Sequence, residues 1–231
     1  MLLSLSSRFV GNVYVIHCKG RVVLGEEVEA LEAAFDQGAH EFTRFVLNLS
    51  ELNRLDSIGL GLLVRYAERM QKHGGGVRLA ASPPFVETLL NMTKIYSLLP
   101  NYPTEDEAIL SFLKQNPAQA AAVRSGARVL VVDESADLCM FIRTVLRQKG
   151  FDVKSSCSFR DAKILLQVDT VDYILVGPGT PQLPSETVLR ALTALAPQAT
   201  ALQLDTDFKI RDAREATDAL LQMFGTDGTL R

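Results

Sequence analysis

The chain has 231 residues, of which 47% are hydrophobic and 22% charged, proportions that suit one or two globular domains with a sizeable core. A formal net charge of −3 leaves no basic footprint for nucleic acid. No apolar run approaches the roughly 18 residues of a bilayer span, and the first residues lack the pattern of a signal peptide, so no membrane partner and a cytoplasmic location are expected.

In chain order, residues 13–18 alternate and are β-branched, which predicts a strand, and Gly20-Arg21 is expected to turn the chain. Residues 26–37 carry Val28, Leu31, Ala34 and Phe35 at helical spacing, with Gly38 as the stop. Residues 45–49 read as a buried strand, followed by a short polar loop. Residues 57–72 read as a helix with a stripe of Leu60, Leu63, Val64, Ala67 and Met70, ended by Gly74-Gly75-Gly76. A strand over 77–81, a helix opened by Pro83 and a helix over 104–113 follow, the last with a capping box of Thr104 and Glu107. Residues 115–127 lose core periodicity and are expected to link a first domain, 1–114, to a second, 128–231. The second half alternates strands (128–132, 153–156, 173–176, 200–204) with helices (138–148, 160–167, 186–196, 210–224). That order predicts a doubly wound parallel sheet.

Chemistry-bearing residues are few. Cys18, Cys139 and Cys157 are odd in number and widely spaced, and read as buried thiols. His17, His40 and His73 show no metal-ligand spacing. No catalytic constellation, metal site or cofactor is expected, and the chain does not read as an enzyme. Arg65, Arg69 and Lys72 form a basic helix edge that Glu68 interrupts, so a solvated face is expected there. Asp56-Ser57 precedes an apolar helix. Either side chain suits an N-cap, and a hydroxyl at that end also sits where a phosphate is well tolerated.

The segment Asp56-Ser57-Ile58-Gly59-Leu60-Gly61, with Gly20-Arg21, the glycine stop at 74–76 and the run 102–108, resembles the STAS domain of anti-sigma factor antagonists. The resemblance implies a mixed α/β fold over about residues 1–113. It also implies a partner that is both an anti-sigma factor and a serine kinase. Ser57 falls at the family's phosphoacceptor position, and Ile58 replaces the second serine of the usual core. Asp56, Ser57, Ile58 and Gly59 are the implied partner-binding residues, with phosphorylation of Ser57 releasing the partner.

Residues 128–231 resemble a response-regulator receiver domain, a flavodoxin-like fold. Asp133-Glu134 falls where receivers hold Mg²⁺, Gly177 falls at the phosphoacceptor position, and Pro181 matches a later proline. Glycine accepts no phosphoryl group, so Asp133, Glu134 and Gly177 read as a degenerate acidic pocket. Thr206 or Asp205 fits the position after the fourth strand, and Lys209 approximates the family's lysine. The final helix is either the fourth, with the fold stopping early, or a later one after the loss of a unit. A pseudo-receiver kept for docking or homo-oligomerisation follows from this resemblance. The alternative is a scaffold or ligand-sensing module of a larger assembly, without phosphorylation.

Overall fold

The computed structural model describes residues 2–114, 126–178 and 184–224. The chain divides into two compact units, Met1–Asn116 and Pro117–Arg231. Most of the segment expected to link them, and Pro181, lie outside the described residues.

In the first unit β1 (Ser4–Val10) and β2 (Val13–Val22) form an antiparallel hairpin about Gly11, whose φ of 62° suits glycine. Then come α1 (Glu26–Ala39), β3 (Arg44–Leu55), α2 (Ser57–Lys72), β4 (Gly76–Ala80), α3 (Pro84–Thr93), β5 (Asn101–Tyr102) and α4 (Glu105–Lys114). Strands β2 to β5 pair in parallel, each beside the next, giving a mixed sheet. Register sorts the faces. Phe45 lies opposite Val77, and Phe45 meets Phe35 of α1, which stacks on Tyr66 of α2 at 4.3 Å. Helices α1 and α2 therefore cover one face. Arg44, Val46 and Asn48 line the other, where α4 packs.

Three expectations need correction. Gly20 and Arg21 do not turn the chain. They lie inside β2, where irregular register against β3 absorbs Gly20 at φ 107°. Gly38 does not stop α1 but lies within it, buried, where a Cβ would stand 2.7 Å from the Tyr14 ring. The polar loop after Leu49 is strand as well. Leu52 and Leu55 point inward while Glu51, Asn53 and Arg54 stay exposed, so β3 runs to the start of α2. The α2 stripe also shifts: Leu62, Leu63, Tyr66, Ala67 and Met70 are buried, whereas Leu60 and Val64 are only half-buried.

The second unit holds β6 (Arg128–Val132), α5 (Ala136–Gln148), β7 (Asp152–Ser156), α6 (Phe159–Val168), β8 (Tyr173–Val176), α7 (Ser185–Leu195), β9 (Thr200–Gln203) and α8 (Ala213–Met223). All its strand pairs are parallel, in the order β7-β6-β8-β9. Helices α5 and α8 pack together, and so do α6 and α7. The sheet is doubly wound, so both units are α/β as expected. The helix expected over 210–224 starts later, because Asp212 caps α8 by accepting from Arg214 and Glu215 N–H, both at 2.9 Å. Residues Thr206–Ile210 form a separate 3₁₀ turn. Phe224, just past α8, lies 5.2 Å from Phe151 and 5.1 Å from Tyr173. The last helix therefore returns to the α5 side instead of following α7 on its own face.

One polar cluster ties α4 to the sheet. Glu105, 6% exposed, accepts from Arg8 at 2.6 Å and from Asn48 at 2.7 Å, and His17 Nε2 lies 3.0 Å away. Burial pushes its carboxyl up, but the bonds from His17, Arg8 and Asn48 together outweigh it and hold the pKa at about 2 against an ordinary 4.5. A depressed carboxylate stabilises the fold above its unfolded pKa and loses that contribution as pH falls through the folded one. The Glu105 cluster contributes roughly 3 kcal/mol at neutral pH. Glu105→Gln is expected to lose most of it at pH 7 and little near pH 2. Urea unfolding followed by tyrosine fluorescence at both pH values checks this, four of the five tyrosines lying in the first unit.

Candidate functional site

Helix α2 begins where β3 ends, and Asp56 makes the junction. Its backbone is extended (φ −97°, ψ 179°), and its Oδ1 accepts from the N–H groups of Ile58 at 3.0 Å and Gly59 at 2.8 Å. Its Oδ2 accepts from Leu24 N–H at 2.9 Å, and its own N–H donates to Val22 O at 3.2 Å. One carboxylate thus caps α2 and fixes the loop between β2 and α1. The Gly59 N–H, opposed by burial and joined by the Leu24 and Ile58 N–H groups and the field of Arg54, holds the Asp56 carboxyl below the usual carboxylate range.

Ser57 is the first residue of α2 and is exposed. Beside it Ile58 is 48% exposed, and Leu24, brought up by its bond to Asp56, is 72% exposed. An acidic, hydroxyl-bearing corner is therefore rimmed by two solvent-facing aliphatic side chains. Leu24 has no signal in the sequence. It lies 32 positions before Asp56, and only the parallel pairing of β2 with β3, which sets Val22 opposite Leu55, brings it there.

The two glycines of the motif do different things. Gly59 is buried, and a Cβ there would stand 2.7 Å from Val22 Cγ1 and 2.9 Å from Val22 O. It lets α2 press onto the end of β2. Gly61 is exposed, with nothing within 4 Å of a Cβ. An exposed helical glycine in open space costs about 1 kcal/mol relative to alanine, and no intramolecular packing offsets that. The basic edge of α2 is engaged in ion pairs: Arg65 meets Glu32 at 2.9 Å and Arg69 meets Asp36 at 2.8 Å.

In the second unit, the two acidic residues after β6 part company. Asp133 is fully buried, its Oδ1 accepting from Ser135 N–H at 2.8 Å, while Glu134 is exposed. Gly177 follows β8, and a Cβ on it would lie 2.0 Å from Asp133 Oδ2 and 2.6 Å from Asp133 Cβ. The Asp133 side chain fills the space that any side chain at 177 needs. Among the described residues no cluster of three His, Cys, Asp or Glu side chains has the arrangement of a metal site. Of the thiols, Cys18 is buried, which pushes its pKa up to about 12. Cys139 is also buried, its Sγ 3.3 Å from Asp133 O, but Cys157 is half-buried and hydrogen-bonds Cys139, a meeting that their spacing does not announce. No helix among the described residues is long and apolar enough to cross a membrane.

The glycines separate by substitution. Gly59→Ala is expected to destabilise the first unit by roughly 1–3 kcal/mol through overpacking against Val22, whereas Gly61→Ala stabilises it by up to about 1 kcal/mol. Gly177→Ala is expected to destabilise the second unit by roughly 1–3 kcal/mol, since Asp133 has to leave its place. Urea unfolding, with hydrogen exchange to assign the loss to a unit, reads all three.

Residues 4–108 match the family model of the STAS domain. Among solved structures, an anti-sigma factor antagonist from Mycobacterium paratuberculosis is 25% identical over 48% of this chain and 93% of its own, with a TM-score of 0.44. The phosphorylated form of SpoIIAA, a Bacillus cell fate determinant, is 21% identical over 46% of this chain and 96% of its own, with a TM-score of 0.40. The chemotaxis response regulator CheY4 of Vibrio cholerae is 19% identical over 44% of this chain and 98% of its own, with a TM-score of 0.36. Asp56, Ser57, Ile58 and Gly59 lie inside the residues that the family model matches.

Proposed function

We propose that this chain is a non-enzymatic regulator of the anti-sigma factor antagonist kind, which docks a serine-kinase-type anti-sigma factor on the start of α2 and is released when Ser57 is phosphorylated. The observation that carries the reading is the exposed Ser57 hydroxyl on the first turn of a helix whose cap is already supplied by Asp56. The N–H groups of Ile58 and Gly59 are occupied by the Asp56 carboxylate. A phosphate on Ser57 therefore adds its roughly −1.5 to −2 charges on the solvent side of the cap. The helix dipole tolerates that charge. A docked protein does not, because it has to bury a dianion beside an ionised aspartate.

The rim supplies the attraction in this reading. Leu24 and Ile58 offer apolar area to a partner, and the bare Gly61 on the same helix leaves room for close approach. Residues 128–231 act as a pseudo-receiver that docks proteins or a second copy, without phosphoryl transfer. The burial of Asp133 into the space beside Gly177 supports that role.

The test is a pull-down with the serine-kinase-type anti-sigma factor, paired with mass spectrometry after incubation with ATP. Wild type is expected to gain one phosphate and lose the partner. Ser57→Ala is expected to gain none and hold the partner in ATP. Ile58→Asp is expected to weaken binding at least about tenfold, roughly 1.4 kcal/mol, with no loss of stability. Phosphate on the alanine variant, or equal binding by the phosphorylated wild type, overturns the reading.

A further inference from the structure

The second unit holds a thiol pair that the proposed switch does not use. Cys139 sits near the start of α5, and Cys157 directly follows β7, just before α6 begins. Both are reduced in the structure. One end of the sheet brings them together. Asp133 N–H, just past β6, donates to Ser156 O at 3.3 Å, and Cys139 Sγ lies 3.3 Å from Asp133 O and 3.7 Å from Ser156 O. Ser156 O belongs to the peptide that joins Ser156 to Cys157. The Cys139 sulfur therefore reaches the backbone of its partner, and the two thiols hydrogen-bond.

The two thiols differ in access. Cys139 is fully buried, whereas Cys157 is half-buried and is the one that a small solute meets first. The hydrogen bond to Cys157, and then burial, push the Cys139 thiol up, so it keeps its proton. The larger of those two causes ends once the Cys157 sulfur is oxidised. A disulfide needs two side chains that point at each other across a short gap, which this pair supplies. Under reducing conditions such a bond is transient and senses the oxidant. Cys18, buried in β2, is a third thiol outside the pair.

We propose that Cys139 and Cys157 form a redox-sensing dithiol, closed to a disulfide by a small hydroperoxide. The Cys157 sulfur, having given up its proton, attacks a peroxide oxygen. An S–O bond forms, the O–O bond breaks, and the leaving oxyanion takes up the proton, as water when the oxidant is hydrogen peroxide. The Cys139 sulfur then attacks the Cys157 sulfur. The S–S bond forms, the S–O bond breaks, and hydroxide leaves with the Cys139 proton as water. The two thiols together lose an electron pair, and one peroxide is reduced. The new bond staples the start of α5 to the end of β7 and removes the S–H donor from which Asp133 O accepts. The Asp133 side chain fills the space beside Gly177, so oxidation is felt at that end of the sheet.

Treatment of the full chain with graded hydrogen peroxide, followed by thiol alkylation under denaturing conditions and peptide mass mapping, tests this. Wild type is expected to lose two of its three thiols, to yield a Cys139–Cys157 linkage within one chain, and to regain all of them in dithiothreitol. Cys139→Ser is expected to stop at a Cys157 sulfenic acid that dimedone traps, and Cys157→Ser to keep both remaining thiols. Amide NMR of oxidised wild type, which needs no variant to fold, is expected to show shifts at 133–139, 156–159 and Gly177 that dithiothreitol reverses. Ser57→Ala is expected to oxidise as wild type does, which separates this pair from the proposed switch. A disulfide that involves Cys18 or a second chain overturns the proposal. So does Cys157 oxidised to sulfinic acid with Cys139 still a thiol, or no loss of thiol at millimolar peroxide.

Discussion

The Asp56 carboxylate is the constraint on which the start of α2 and the loop beside it depend. A single side chain accepts from three backbone N–H groups, two at the start of α2 and one in the loop before α1. Hydrogen bonds to an ionised acceptor are about twice as strong as neutral ones. The aspartate therefore does more than cap a helix. It joins two segments 32 residues apart and sets Leu24, Ser57 and Ile58 on one surface. Gly59 completes the junction, since only a glycine lets α2 lie this close to Val22. The position of Ser57 follows from backbone geometry, and its own side chain is left to the solvent.

In the proposed switch, that arrangement would let a charge change be read out without unfolding. With the N–H groups of Ile58 and Gly59 already engaged, a phosphate on Ser57 would have no cap to displace, and its effect would fall on whatever lies opposite. The open Gly61 carries a helix-propensity cost with no packing return inside the unit. The opposite face of the sheet is organised differently. There α4 covers the hydrogen-bonded carboxylate of Glu105 and sets the Phe112 ring against the Arg78 guanidinium.

Much of this was legible in the sequence where local chemistry decides the outcome. The bounds of α2 follow from Asp-Ser before an apolar helix and from the glycine run after it. The buried strand at 173–176 follows from an unbroken apolar stretch. The elements that escaped are those decided by pairing. Strand β1 is mostly polar and shows as a strand only through its register with β2, although Gly11-Asn12 is a hairpin signal. The stretch after Leu49 reads as a polar loop because its outward residues are charged, yet its pairing with β2 keeps it extended. Gly20 and Gly38 look like punctuation, but one sits in a register shift and the other under a tyrosine ring. Asp56 and Ser57 were readable as the start of a helix. The neighbours of Leu24 and Arg78 were not, because each owes them to contacts far along the chain. Cys139 and Cys157 meet for the same reason.

The central claim is that a phosphoryl group on Ser57 changes the surface and not the fold. Backbone amide NMR of the chain before and after enzymatic phosphorylation, with and without the serine-kinase-type partner, tests it most directly. The account predicts shifts confined to the neighbourhood of Leu24 and residues 56–61, together with loss of the complex. Shifts spread through the first unit, or a complex that survives with the phosphate in place, would contradict it.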